Sequence, residues 1–410
     1  MNRKEEISRR NFFGVTASAG VGALVLGNSP ARAAESGTAN SDKKAPRELP
    51  AIAQVRFLAD KFVQWQNSEG RLDPKRIPAA ITDRKLFVLC YISSAMYRAW
   101  EATGDPSYKT AADRYWGFYL TATRDRTGFT AARAGIGLIP CQDSRRHHPR
   151  QTEWDDEAKA LYGTLLEYRW DRGSCFRNGY VSPNSRKMDA ANSDDNAAIG
   201  CGLMSYHAVT KRPDVLAHAE ALAGYFLRDC VPMTYQGVWS PANGSWVVAP
   251  TDNAHFEHFH ARAYEVSWGW TSIEAILYLT QLSRVTKSAD IKQGSRQKCV
   301  RSMKWQFDAC QFEDGACGMS GRDDKWMGMT AGAILSYLRV REAGFLAEDD
   351  TAYRTKALAA KDWMLAHLDE ECLQRGGYWK ISGKSQPRPK CNLAWLFGWT
   401  LEALTQIHRI

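Results

Sequence analysis

The stretch HFEHFHARAYEVSWGW, residues 255–270, gathers three histidines, a tyrosine, two acids, an arginine and two tryptophans. A zinc site needs three or four ligands converging on one point. His255, His258 and His260 are spaced three and then two. On a helix the third lies around the cylinder from the first two; on a strand the first opposes the last two. Neither regular geometry gathers them, and the HExxH pattern is absent, so no metal is assigned. Acid/base chemistry fits the spacing better. If the chain turns into a helix near His260, Tyr264 lies one turn on and both side chains face the same substrate. Histidine and tyrosine beside a cation are what β-elimination on a uronic acid requires. One group takes the proton alpha to the carboxylate and another protonates the leaving oxygen, while Arg262 or an amide such as Asn253 offsets the carboxylate charge.

A second set of candidates recurs at helix starts: Trp154-Asp155-Asp156-Glu157, Ser193-Asp194-Asp195-Asn196, Asp323-Asp324-Lys325-Trp326 and Asn392-Leu393-Ala394-Trp395. Each acid alone reads as an N-cap that satisfies free backbone donors. Tryptophan beside it is not explained by capping, and a flat aromatic face suits stacking on a pyranose ring. The catalytic set is therefore read as His258, His260, Tyr264 and Asp195. Substrate binding is assigned to Asn253, Arg262, Trp154, Trp268, Asp194, Trp326 and, from the turn Arg375-Gly376-Gly377-Tyr378-Trp379, to Trp379. The alternative chemistry is hydrolysis by two acids flanking a glycosidic bond, drawn from the Asp155/Asp156, Asp194/Asp195 and Asp323/Asp324 pairs. Adjacent residues on a helix point in different directions, so one of each pair is expected to face the substrate.

The elements that must position these groups are helical. After Pro50 the chain falls into ten to twelve apolar-periodic segments, beginning AIAQVRFLADKFVQWQ and KLFVLCYISSAMYRAWEATG. Short junctions such as Thr103-Gly104-Asp105-Pro106 and Lys211-Arg212-Pro213-Asp214 stop one helix and start the next. The connections in the other direction, at 124–154, 171–194, 230–264, 312–325 and 370–391, are long and aromatic-rich. A helix pair cannot bury its apolar stripe alone, so repeated pairs must stack side by side. This all-α pattern resembles the α/α toroid of glycoside hydrolases, polysaccharide lyases and sugar epimerases, with about six hairpins over residues 50–410. The resemblance implies long loops gathered on one face around a cleft. It also implies a carbohydrate-active enzyme, read here as a polysaccharide lyase with a toroid glycoside hydrolase or a non-catalytic glycan-binding toroid as alternatives. The Asn, His and Tyr set of toroid lyases is similar to Asn253, His258 or His260, and Tyr264. The absence of DxDD and DDxxD motifs argues against a terpenoid cyclase.

The partner expected is an acidic polysaccharide or oligosaccharide, because helix N-termini and loop residues such as Arg145, Arg186 and Arg262 favour an anion. Scattered basic residues argue against nucleic acid. No cofactor is expected, calcium being the one divalent cation left open to neutralise a uronate. The N-terminus, Ser8-Arg9-Arg10-Asn11-Phe12-Phe13 followed by GVTASAGVGALVLG and Ala31-Arg32-Ala33, resembles a twin-arginine signal over residues 1–33. Residues 34–49 read as a disordered linker. Cleavage after Ala33 would leave 49 Lys/Arg against 43 Asp/Glu, a net charge of +6 instead of +9. Periplasmic or secreted localisation follows, with no membrane insertion. Of ten cysteines, Cys310 and Cys317 flank a short turn and are the first pair to consider for a disulfide.

Overall fold

The computed structural model describes residues 51–81, 86–125, 130–149, 153–170, 175–176, 193–231, 237–247, 267, 269–347, 350–381 and 394–410. Local signals in the sequence start and stop the helices as expected. Asp105 accepts a hydrogen bond from the Ser107 amide at the head of α3 (Pro106–Ala122), with Pro106 in its first turn. Gly104, in the left-handed region at φ +73°, ends α2 (Val88–Thr103). Ser288 caps α10 (Ala289–Ala309) in the same way as Asp105.

Six positions form an inner ring. They are α2, the short consecutive helices α4 (Ala131–Gly137) and α5 (Cys141–His147), α7 (Ser193–Thr210), α9 (Gly269–Val285), α11 (Met327–Glu342) and α14 (Ala394–Gln406). Each packs on the next, and α14 returns to α2, so the ring is closed. Outside it stand α1 (Ile52–Trp65), α3, α6 (Glu153–Glu167), α8 (Pro213–Leu227), α10 and α12 (Thr351–His367). The burial pattern follows the layer. α3 buries one stripe, Tyr108, Ala111, Ala112, Tyr115, Trp116 and Tyr119 among them, whereas α11 is buried around most of its circumference. Inner neighbours approach closely because glycine stands at their contacts. A Cβ on Gly202 of α7 would fall 1.9 Å from the Gly135 carbonyl of α4, one on Gly332 of α11 2.2 Å from Ile273 of α9, and one on Gly328 2.5 Å from Leu396 of α14.

The inner helices all begin at one rim, where the long connections are tied together. Ser193 donates to the Val247 carbonyl at 2.6 Å, the Gly269 amide to Met319 O at 2.8 Å, and the Met327 amide to Gly377 O at 2.8 Å. Short antiparallel strand pairs stand on this rim: β1 (Arg169–Trp170) with β2 (Cys175–Phe176), β3 (Trp239–Ser240) with β4 (Ser245–Trp246), and the distant segments β5 (Lys325–Trp326) and β6 (Tyr378–Trp379). One expectation needs correcting. Much of the segment 124–154 is not a rim loop but the broken inner helix α4–α5, which runs beside α7 from rim to rim. Ser205 donates to Ile139 O at 2.7 Å and accepts from the Gln142 amide at 2.9 Å.

The far end of the lumen is plugged by charge. Arg98 of α2 meets Glu402 of α14 at 2.5 Å and Asp143 of α5 at 3.7 Å, and Arg339 of α11 meets Glu402 at 3.0 Å. Among the described residues no helix is long and apolar enough to cross a membrane. The nine described cysteines are free thiols. Gln311 bridges Cys317 in antiparallel register, so side-chain alternation sends Cys310 and Cys317 to opposite faces and argues against joining them.

Candidate active site

Two turns above the Arg98 layer, about 10 Å nearer the loop-bearing rim, Tyr91 of α2 donates a hydrogen bond to Glu274 of α9 at 2.6 Å. These helices stand three places apart in the ring of six, so the bond crosses the lumen and forms a floor under the rim. Asp194 and Asp195, in the first turn of α7, both act electrostatically on the Glu274 carboxyl, and Asp195 acts on Tyr91 as well. Both carboxylates are thus close enough to the floor to act on it through space. An aromatic wall completes it. Trp270 at the head of α9 meets Trp395 of α14 at 5.0 Å, Trp395 meets Trp399 at 4.5 Å, and Tyr91 lies 5.7 Å from Trp395.

Two buried glutamates in this lumen have opposite electrostatics. Burial raises Glu274 well above the usual carboxyl range, and the neighbouring Asp194 and Asp195 add to the shift; the hydrogen bond from Tyr91 opposes it without prevailing. Burial acts on Glu402 in the same direction, yet Arg98 and Arg339 outweigh it and the group is held below its usual value. Burial and the neighbouring acids thus favour the protonated form of Glu274, whereas the two arginines favour the carboxylate of Glu402. Tyr91 is pushed well above the usual phenol value, first by burial and then by Glu274. A carboxylic acid, a phenol and two aspartates at the bottom of one opening can divide proton-giving and proton-taking roles.

No family model matches the chain, and no curated protein matches it in sequence. Solved structures match it in fold. The cellobiose 2-epimerase of Bacillus thermoamylovorans superposes with a TM-score of 0.61 at 12% identity, over 88% of this chain and 99% of the epimerase. An inactive variant of an α-1,6-mannanase of Salegentibacter, in complex with α-1,6-mannotriose, gives 0.57 at 11% identity, over 87% and 99% of the two chains. The unsaturated glucuronyl hydrolase of Bacillus sp. GL1 gives 0.57 at 16% identity, over 88% and 96%. The chain is an α/α toroid. At these identities the likeness is one of fold.

The toroid separates the residues that sequence patterning grouped. His258, His260, Tyr264, Asn253, Arg262 and Trp268 lie outside the described residues, as does His255. Asp194 and Asp195 are at the floor. Trp154 is not, because α6 is an outer helix whose start lies at the opposite rim. There Trp154 packs on Trp116 at 4.8 Å and on His148 at 5.3 Å, beside Tyr206 and Val209 from the last turns of α7. Asp155 is ion-paired with Arg145 at the same rim. Trp326 is only 3% exposed and packs against Tyr378 at 4.6 Å, which leaves no face for a sugar. Trp379 turns outward onto α12, edge-on to Trp363 at 5.1 Å. Asp323 accepts the Met319 and Asp324 amides, and Asp324 accepts from the Tyr378 hydroxyl at 2.5 Å and the Ile381 amide at 2.9 Å, so this pair is occupied in shaping its loop. Among the described residues no group of three His, Cys, Asp or Glu is placed to hold a metal ion.

Sequence patterning does not single out Tyr91 or Glu274. The one available signal is an acid inside the apolar run TSIEAILYL, a position that burial normally denies to glutamate unless it is partnered. The rim assignment has a direct check. Trp154→Ala and Asp155→Asn are expected to leave kcat within about threefold of wild type, whereas a tenfold loss without loss of fold would put α6 back at the cleft.

Proposed function

We propose that this chain is a glycoside hydrolase acting on a glycan bound over the Tyr91–Glu274 floor, with Asp195, beside Asp194, as the carboxylate that acts at the anomeric carbon. The observation that carries this reading is the Tyr91–Glu274 hydrogen bond across the lumen, with Asp194 and Asp195 of a third inner helix close enough to act on it, beside the Trp270–Trp395 aromatic cluster. Hydrolysis of a glycosidic bond needs one carboxylate to activate water or attack the anomeric carbon, and one group to protonate the leaving oxygen. The floor holds a carboxyl with raised proton affinity beside two further acids.

The comparisons support hydrolysis over elimination. Two of the structures that share the fold are named as glycosidases, an α-1,6-mannanase and an unsaturated glucuronyl hydrolase. The inactive mannanase variant has asparagine in place of two adjacent aspartates, and adjacent aspartates are what α7 presents here. Trp270, half-buried at the head of α9, offers the flat apolar face that a sugar ring stacks on.

The test is a panel of neutral and uronate-containing glycans incubated with the purified protein. New reducing ends without ultraviolet absorbance from a conjugated unsaturated uronate are expected. That absorbance appearing together with chain cleavage would overturn hydrolysis in favour of β-elimination, and no cleavage of any glycan would overturn the enzymatic reading.

A further inference from the structure

We propose that Tyr91 and Glu274 act as a proton-delivering dyad, in which the Tyr91 hydroxyl protonates the leaving oxygen of the substrate and Glu274, sealed beneath it, replaces that proton. The proposal rests on the hydrolase reading above and assigns its acid.

Glu274 is 4% exposed and cannot itself touch a sugar, whereas Tyr91 is only partly buried and its hydroxyl lies 2.6 Å from the Glu274 carboxyl. A proton held at Glu274 reaches the cleft when the phenol, which donates to Glu274 at rest, turns its own proton to the substrate and accepts the carboxylic proton in its place. The step balances. Water bonds to the anomeric carbon and gives a proton to Asp195. The bond from that carbon to the leaving oxygen breaks, and this oxygen takes the Tyr91 proton. Tyr91 takes the Glu274 proton, leaving Glu274 as a carboxylate. Proton return from Asp195 through solvent restores the resting state.

The surroundings of Glu274 suit this role. Facing it are Tyr91 from α2 and Asp194, Asp195 and Cys201 from α7. From α11, Arg339 is committed to Glu342 and Glu402. Of the outer helices packed on α9, α8 presents Glu220, which bonds Thr286 instead, and α10 lies behind the wall. The dyad is thus surrounded by acids, and burial together with these acids raises the proton affinity of Glu274. A buried glutamate that served only to brace the fold would be better matched by a cation, as Glu402 is.

The experiment compares two leaving groups. Glu274→Gln keeps an acceptor for the Tyr91 hydroxyl but carries no transferable acid proton, and Tyr91→Phe removes the hydroxyl and keeps the ring. With a sugar as leaving group, both variants are expected to lose about 10- to 100-fold in kcat with little change in KM. With an aryl glycoside whose phenol leaves without protonation, the loss should shrink to a few-fold. Wild-type kcat is expected to fall on the alkaline side as Glu274 loses its proton, and Glu274→Gln is expected to lack that fall. A purely structural role would lower both rates equally. Equal losses on the two substrates, or wild-type rates and pH profile in both variants with melting temperatures unchanged, would overturn the dyad. If wild-type protein cleaves no glycoside of either kind, the hydrolase reading fails first and the dyad falls with it. If Asp195→Asn is inactive while Glu274→Gln and Tyr91→Phe match wild type, only the dyad fails.

Discussion

Asp195→Asn is expected to lower kcat on a cleaved glycan by about 10³-fold while leaving KM within a few-fold and the melting temperature nearly unchanged. The substitution is isosteric and sits in the first turn of α7, where asparagine serves the helix start as well as aspartate does. What it removes is the carboxylate that takes a proton from water or bonds to the anomeric carbon, a contribution of about 10²–10⁴. Because both aspartates act electrostatically on Glu274, Asp194→Asn should also be impaired. The two variants need not be equivalent, since Asp195 acts on Tyr91 as well as on Glu274. A second consequence separates electrostatics from structure. Taking away one negative neighbour lowers the proton affinity of Glu274, so the alkaline limit of the residual activity should move to lower pH in Asp195→Asn. Stability gives an independent reading with a fixed sign. A carboxyl raised in the fold contributes stability below its unfolded value, here 4.5, and loses that contribution as pH rises toward its folded value. Denaturant titrations between pH 4.5 and 8 should therefore show a stability loss that is smaller in Asp195→Asn and absent in Glu274→Gln. Full activity in Asp195→Asn would end the assignment of this floor as the reacting centre.

Much of the ring is legible in the sequence because its causes are local. Asp105-Pro106, Ser288 and Gly104 each satisfy or end a helix through their own backbone geometry, and no distant residue is needed to read them. The same local logic misreads 124–154. Pro140 interrupts an inner helix that is already short of apolar periodicity because three of its first seven residues are alanine and two are glycine, so the segment looks like a loop and Trp154 is assigned to the wrong rim. Trp326 and Trp379 fail for a related reason. They stand on the two strands of one short antiparallel pair whose members are far apart in the chain, with Trp326 paired to Tyr378 and Lys325 to Trp379, so register sends one into the core and the other onto α12. The dyad is invisible for a different reason. Tyr91 and Glu274 lie 183 residues apart and neither belongs to a recognisable motif, so only the closure of the ring makes them partners. Asp194 and Asp195 bridge the two cases, being visible as a helix start and meaningful once α7 is known to begin at the floor.

Glycine placement gives the other large expected effect, because the same substitution should act with opposite sign at two positions. Gly202→Ala puts a methyl group 1.9 Å from the Gly135 carbonyl oxygen and 2.9 Å from its carbon. Both partners are backbone of packed inner helices, so neither can yield as a flexible side chain would, and α7 must move away from α4. Overpacking of this kind costs about 3 kcal/mol, which should lower the melting temperature by about 5–10 °C. Gly163→Ala, on the exposed face of α6 with nothing within 4 Å of the new methyl, should instead stabilise by about 0.5–1 kcal/mol, since glycine is a poor helix former. Function should separate the pair as well. Gly202 lies two turns from Asp195 on the same rigid helix, so a shift of about 1 Å in α7 displaces the carboxylate from the floor and should lower kcat by about 100-fold. Gly163 is on an outer helix and should leave kcat unchanged. If Gly202→Ala melts at or above the wild-type temperature with full activity, α4 and α7 do not approach as closely as the ring requires, and the position of Asp195 over the Tyr91–Glu274 bond would have to be reconsidered.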